Sequence, residues 1–147
     1  MSQYLLDTNI CVHFLKNEHQ IPQQIAAVGF TNCYLSELTL AELLFGVANS
    51  APTWQAANRQ AVEELRLTFA ERILLIGPGI EHYAQQKAQL RQKGRPVDDM
   101  DLLIGVTALA HGLTLVTRNT RHFADIMGLP LQNWVDQPIT PLLRVSE

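Results

Sequence analysis

Four short apolar runs, Tyr4-Leu5-Leu6, Cys33-Tyr34-Leu35, Ile73-Leu74-Leu75-Ile76 and Thr114-Leu115-Val116-Thr117, are separated by segments with helical spacing of their apolar residues. Runs this short, with no polar alternation, predict strands covered on both faces, and strands that alternate with helices predict parallel pairing. After Leu6, the spacing of Ile10, Cys11, Phe14 and Leu15 predicts a helix. A second helix spans Ile21 to Val28 and stops at Gly29. Thr39 to Gly46 reads as a helix opening on a polar cap. The stripe Trp54, Ala57, Ala61, Leu65 and Phe69 fits one packing face of a longer helix. Ile80 to Lys93 is helical until Gly94, Leu102 to Ala110 is apolar nearly all round, and Gly112 ends it. A helix from Thr120 to Met127 and a short strand near Leu131 complete the pattern. The expected fold is α/β, a single doubly wound domain over residues 1–147 with a central parallel sheet of four to five strands flanked by helices.

Several classes are excluded by composition. The longest apolar stretch, Leu102 to Thr117, is interrupted by His111 and Gly112 and is shorter than the ~20 residues of a membrane span. Met1-Ser2-Gln3 enters the first strand without a basic region or a small-residue cleavage site, so a cytoplasmic location is expected. Cys11 and Cys33 have no zinc spacing and are too few for a disulfide framework, and both are expected as buried, reduced thiols. A formal charge of -3 has the wrong sign for gripping nucleic acid by bulk electrostatics, so any such contact must be local.

The polar residues converge on one place. In open parallel sheets, ligands sit beyond the carboxyl ends of the strands. Asp7 closes the first strand, Glu42 lies in the first turn of the helix after the second, Asp98, Asp99 and Asp101 open the apolar helix, and Asn119 follows the fourth strand. Each acid alone has a structural use: Asp7 and Asp98 can cap helices, and Thr39 to Glu42 fits a capping box. Together they repel, by on the order of 4 kcal/mol for a like pair ~4 Å apart at an effective dielectric near 20. Either some carboxyls hold protons or a cation sits among them. Oxygen ligands without cysteine or clustered histidine select Mg²⁺ or Mn²⁺, whose coordinated water can act in phosphoryl displacement. The five histidines, at 13, 19, 82, 111 and 122, are scattered and carry no metal motif.

Lys87, Arg91, Lys93 and Arg95 put four of the eleven basic residues within nine positions, directly upstream of the acids. Lys87 and Arg91 share a helix face and, with Arg118 and Arg121, could hold backbone phosphates; the alternative is an ordinary solvated face.

These motifs resemble those of the PIN-domain ribonucleases and, within them, the VapC toxins of type II toxin–antitoxin pairs. "YLLDTNICVHFL" is similar to the family's opening strand with its metal-binding acid, Asp7. "LSELTLAELLFGV" resembles the segment carrying the second acid, Glu42. "GRPVDDMDLLIGVTAL" resembles the third motif, with Asp101 as principal ligand and Asp99 as accessory. "LTLVTRNTRHF" resembles the closing motif, where the neutral Asn119 stands at the fourth acidic position, and Asp98, Thr8 and Thr117 are outer-shell candidates. The resemblance implies a Mg²⁺-dependent endoribonuclease, with Mn²⁺ as a substitute. It further implies cleavage of structured RNA such as a tRNA or ribosomal RNA loop, inhibition of translation, a homodimer, and silencing by a VapB-like antitoxin.

Two other classes compete. A phospho-receiver domain needs adjacent acids after the first strand, where Thr8-Asn9 stands, and an acceptor Asp after the third, where Gly77-Pro78 stands. A non-catalytic acidic-pocket binding module would not need Asp7, Glu42 and Asp101 together.

Overall fold

A computed structural model describes residues 2–139, so the single domain expected over 1–147 extends past the described residues at both ends. Among them, five parallel strands run β1 (Tyr4–Leu6), β2 (Cys33–Ser36), β3 (Ile73–Leu74), β4 (Thr114–Val116) and β5 (Leu131–Gln132). Their spatial order is β3-β2-β1-β4-β5. The chain steps outward from β1 in one direction through β2 and β3, then returns to build β4 and β5 on the other side. The α/β doubly wound expectation is therefore met, and the gap between the ends of β1 and β4 is the switch point where such sheets bind ligands. Asp7 lies there, its N–H donating to the Val116 carbonyl at 2.9 Å.

The helices are α1 (Thr8–Leu15), α2 (Ile21–Val28), α3 (Glu37–Ala48), α4 (Pro52–Thr68), α5 (Ile80–Gln92), α6 (Asp99–Ala110) and α7 (Thr120–Phe123). They cover two core clusters. One joins Leu6, Ile10, Leu35, Leu43, Leu65, Phe69 and the fully buried Trp134; the other joins Leu5, Leu102, Ile104, Leu115, Phe123 and Ile126. Leu5 and Leu6 point to opposite faces of β1, as adjacent strand residues must, so one strand feeds both clusters. Cys11 and Cys33 are both buried and free. Burial pushes the Cys33 thiol up to about 12. No helix among the described residues is long and apolar enough to cross a membrane.

Four local expectations need correction. The Thr39 to Glu42 capping box does not form. Ser36 caps α3 instead, its side chain accepting the Leu38 N–H at 3.1 Å, so the helix starts earlier and Glu42 falls in its second turn. The stripe on α4 packs only in its second half. Trp54 is 64% exposed, whereas Val62 and Leu65 join the core cluster that holds Leu43 and Val47 of α3. The third strand is cut to two residues, with Leu75 62% exposed. It is the sheet edge, and a 3₁₀ turn with Pro78 follows at Gly77–Gly79. The last helix is a single turn, after which the chain closes with Ile126 N–H to Phe123 and Leu129 N–H to Ile126 carbonyl bonds.

Candidate metal and nuclease site

The site begins with Asp7, which is 4% exposed. Its Oδ1 accepts the Thr8 N–H at 2.8 Å, and its Oδ2 accepts the Thr117 hydroxyl at 2.8 Å and the Asn9 side-chain amide at 3.2 Å. Asp7 is thus both the cap of α1 and a carboxylate at the switch point. Burial, and then repulsion from Asp101 and Glu42, hold its pKa above the ordinary carboxylate range despite the hydrogen bonds from Thr117 and Thr8. The three acids singled out in the sequence therefore share one electrostatic environment, although 94 residues separate the first from the last.

Glu42 is half-buried on α3 and accepts the Thr8 hydroxyl at Oε1, 2.6 Å away; the Thr39 hydroxyl lies 3.2 Å from the same Thr8 oxygen. Asp101 is in the first turn of α6, its side chain 25% exposed, with His122 Nδ1 3.2 Å from Oδ2. Burial raises its pKa, with the Asp98 charge adding to that and His122 opposing it. Asp98 caps α6, its Oδ2 accepting the N–H groups of Met100 and Asp101 at 3.1 and 3.4 Å. The trio is spaced rather than fused: among the described residues, only His13, Glu18 and His19 bring three ligand atoms within 4.8 Å of one another.

Asp99 occupies a different setting. Its Oδ1 accepts hydrogen bonds from Lys87 Nζ and the Tyr83 hydroxyl, each at 2.9 Å, and it is not among the charges that act on Asp7. The Lys87 and Tyr83 bonds hold its pKa below the ordinary range. The basic group is correspondingly divided. Lys87 faces Asp99, Arg95 lies 3.7 Å from Asp125, Arg118 lies 3.7 Å from Asp136, and Arg91 and Lys93 are exposed on and just after α5. Asn119 is exposed, its N–H donating to Thr117 Oγ1 at 3.0 Å.

Asn9 and His122 were not singled out by sequence reasoning. Asn9 spans the switch point, its amide donating to Asp7 and, at 3.3 Å, to Thr117, while its Oδ1 accepts the Arg118 N–H at 3.1 Å. Its signal was present in the triplet Asp7-Thr8-Asn9, which places Asn9 in the first turn of the helix that Asp7 caps. The position of His122 beside Asp101 had no signal, because it depends on how α7 packs against α6.

An apolar groove of about 410 Å³ leads away from Thr8 and Glu42, lined by Val12, Leu15, Leu43, Val47 and Val62. A smaller hollow of about 320 Å³ lies beside Asp98, Asp101, Arg121 and His122.

The similarity to known proteins extends over most of the chain. The family model described as PIN domain matches residues 4–129. The chain is similar to the tRNA(fMet)-specific endonuclease VapC of Shigella flexneri, with 31% identity over 137 residues, covering 91% of this chain and 99% of that protein. It is 34% identical over 133 residues to Ribonuclease VapC2 of Rickettsia felis, covering 89% and 97%. The crystal structure of VapBC2 from Rickettsia felis bound to a promoter DNA fragment contains a chain that superposes with a TM-score of 0.80 at 30% identity, covering 89% of this chain and 98% of that one. DNA-bound VapBC from Salmonella typhimurium gives 0.80 at 31%, covering 91% and 99%.

Proposed function

The chain belongs to the PIN-domain family, within its VapC group, and we propose that it is a toxin endoribonuclease that uses a divalent cation, Mg²⁺ with Mn²⁺ as a substitute, to cut structured RNA such as a tRNA or ribosomal RNA loop. The observation that carries this reading is the near-complete burial of Asp7 at the switch point, with Glu42 and Asp101 close enough to raise its pKa. Ionising three such carboxylates at neutral pH calls for a cation, and an all-oxygen donor set suits a hard one. The spacing of the trio suits an ion that keeps several of its waters.

Asp7, Glu42 and Asp101 would hold the ion, whose chemistry when bound is to lower the pKa of a coordinated water and to stabilise the leaving oxygen of an in-line displacement. The chain's own groups act around it. Thr117, Thr8 and Asn9 orient the Asp7 carboxylate, and the Thr8 hydroxyl fixes Glu42, so two acids from different elements are held in register before substrate arrives. Asp98 keeps the start of α6 closed, and His122 orients Asp101. Arg91 and Lys93, with Lys87, Arg95 and Arg118 partly offset by acids, would hold RNA phosphates. Asp99 is tied to Lys87 and orients that basic helix.

As partners, we assign a VapB-like antitoxin whose apolar segment lies in the groove between α1, α3 and α4 and whose cationic residue reaches the acids, together with a second copy of the chain. The neighbours that support this are VapBC complexes. Blocked growth and translation on expression, relieved by the antitoxin, is the expected cellular outcome. The direct test is cleavage of purified tRNA and ribosomal RNA in Mg²⁺ by the parent, Asp7→Asn and Asp101→Asn proteins. Cleavage by the parent, lost in both variants and in excess chelator, is expected; equal cleavage by all three would remove the proposal.

A further inference from the structure

A second group of ligating side chains sits at the opposite end of α1 from the acids. His13 lies in the last turn of α1, six residues beyond Asp7, or about 9 Å along the axis at 1.5 Å per residue. Glu18 and His19 follow in the turn that leads to α2. The three offer ligand atoms all within 4.8 Å of one another.

Three observations distinguish this group from a chance cluster. First, His13 Nδ1 is buried and has no hydrogen-bond partner among the described residues. Unpartnered buried nitrogens are uncommon and call for an explanation. Second, that nitrogen lies 3.8 Å from Glu18 Oε1, too long for a hydrogen bond but suited to two ligands of one ion at about 2.0–2.2 Å from each. The His19 ring stands edge-on to the His13 ring, centroids 4.5 Å apart and planes at 82°. Third, the turn is strained and yet anchored. Asn17, His19 and Gln20 are all left-handed without being glycine, with φ of 53°, 54° and 56°. Such strain persists where surrounding structure over-determines it, and it concentrates at functional sites. The anchor is the buried Gln24, whose Nε2 donates to the His19 carbonyl at 3.2 Å and to the Trp134 carbonyl at 2.8 Å. Glu18 is held too, its N–H donating to the His13 carbonyl at 2.8 Å.

We propose that His13, Glu18 and His19 form a transition-metal site, of the zinc type, that clasps the turn between α1 and α2. Two imidazoles and one carboxylate with an open fourth position are a zinc donor set and a poor one for Mg²⁺, so the site and the acid pocket select different ions. Burial, and then the neighbouring His19, lower the His13 pKa, and Glu18 opposes them. Arg118 adds to that lowering, but its guanidinium is directed to Asp136, 3.7 Å away. The ion would supply the partner that His13 Nδ1 lacks.

The test is a calorimetric titration of the full chain with ZnCl₂ in chelator-treated buffer, in an Asp7→Asn, Asp101→Asn background that removes the acid pocket. One Zn²⁺ per chain is expected, with affinity falling by at least about tenfold in His19→Gln and in Glu18→Gln. His82→Gln, on the exposed face of α5, is expected to bind as the background does. His19 is exposed and the Glu18 side chain is 44% exposed, so metal-free melting curves of these two variants are expected to match the background. Zinc binding that vanishes in the background, that is unchanged in both ligand variants, or that falls equally in His82→Gln would overturn the proposal.

Discussion

The Thr8 hydroxyl donates to Glu42 Oε1 at 2.6 Å, joining the first turn of α1 to the second turn of α3 across 34 residues. The same residue's N–H donates to Asp7, so one threonine couples two acids that the chain delivers from separate βα units. Replacing Thr8 with Val keeps the shape and the N–H but removes the hydroxyl. RNA cleavage is expected to fall about 10–100-fold, as for other groups that orient ligating carboxylates, while Thr8→Ser retains most of the activity. Rate measurements at saturating Mg²⁺ check this; equal rates in Val and Ser variants would count against the coupling.

The electrostatics of Asp7 make a pH prediction. Burial first, and then Asp101 and Glu42, raise its pKa in the folded state above the unfolded 3.8. A group raised in this way binds its proton more tightly when folded. Its contribution to stability is full below about pH 4 and is lost as pH rises through the elevated folded value. In chelator, the melting temperature of the parent relative to Asp7→Asn is therefore expected to decline between pH 4 and pH 7. Each ~1 kcal/mol corresponds to about 2–4 °C for a chain of this size. Added Mg²⁺ at pH 7 reverses the decline for the parent alone. A difference that does not vary with pH would show that the carboxylate is not strained in the folded protein.

Lys87 and Tyr83 on α5 form a closed triad with Asp99 at the start of α6, with Lys87 Nζ 3.0 Å from the Tyr83 oxygen and 2.9 Å from Asp99. Asp99→Asn frees the ammonium and is expected to tighten RNA binding at low salt, with cleavage retained. Lys87→Glu combined with Arg91→Glu is expected to weaken binding and to lower the slope of log affinity against log salt by about 0.7–0.9 per lost phosphate contact. Salt-dependent binding isotherms check both. A loss of cleavage in Asp99→Asn without loss of binding would return Asp99 to the metal site.

The order of strands and helices, the parallel sheet and the edge that carries Asp7, Glu42 and Asp101 were legible in the sequence. Unbroken apolar runs and helical periodicity are local properties, and a doubly wound sheet gathers the carboxyl ends of its strands whatever the details of packing. Tertiary structure decided what each polar side chain meets. Asp98 and Asp99 are neighbours in sequence, yet one caps α6 and the other turns to Lys87 on α5. Trp54 continues a helical stripe but stays 64% exposed. His122, with no motif of its own, reaches Asp101 because α7 packs against α6, and His13 Nδ1 is buried without a hydrogen-bond partner among the described residues. Periodicity assigns a residue to a face. Which groups share that face, at what distance and with how much water, depends on contacts between segments far apart in the chain, and those contacts set the charge and bonding of the site.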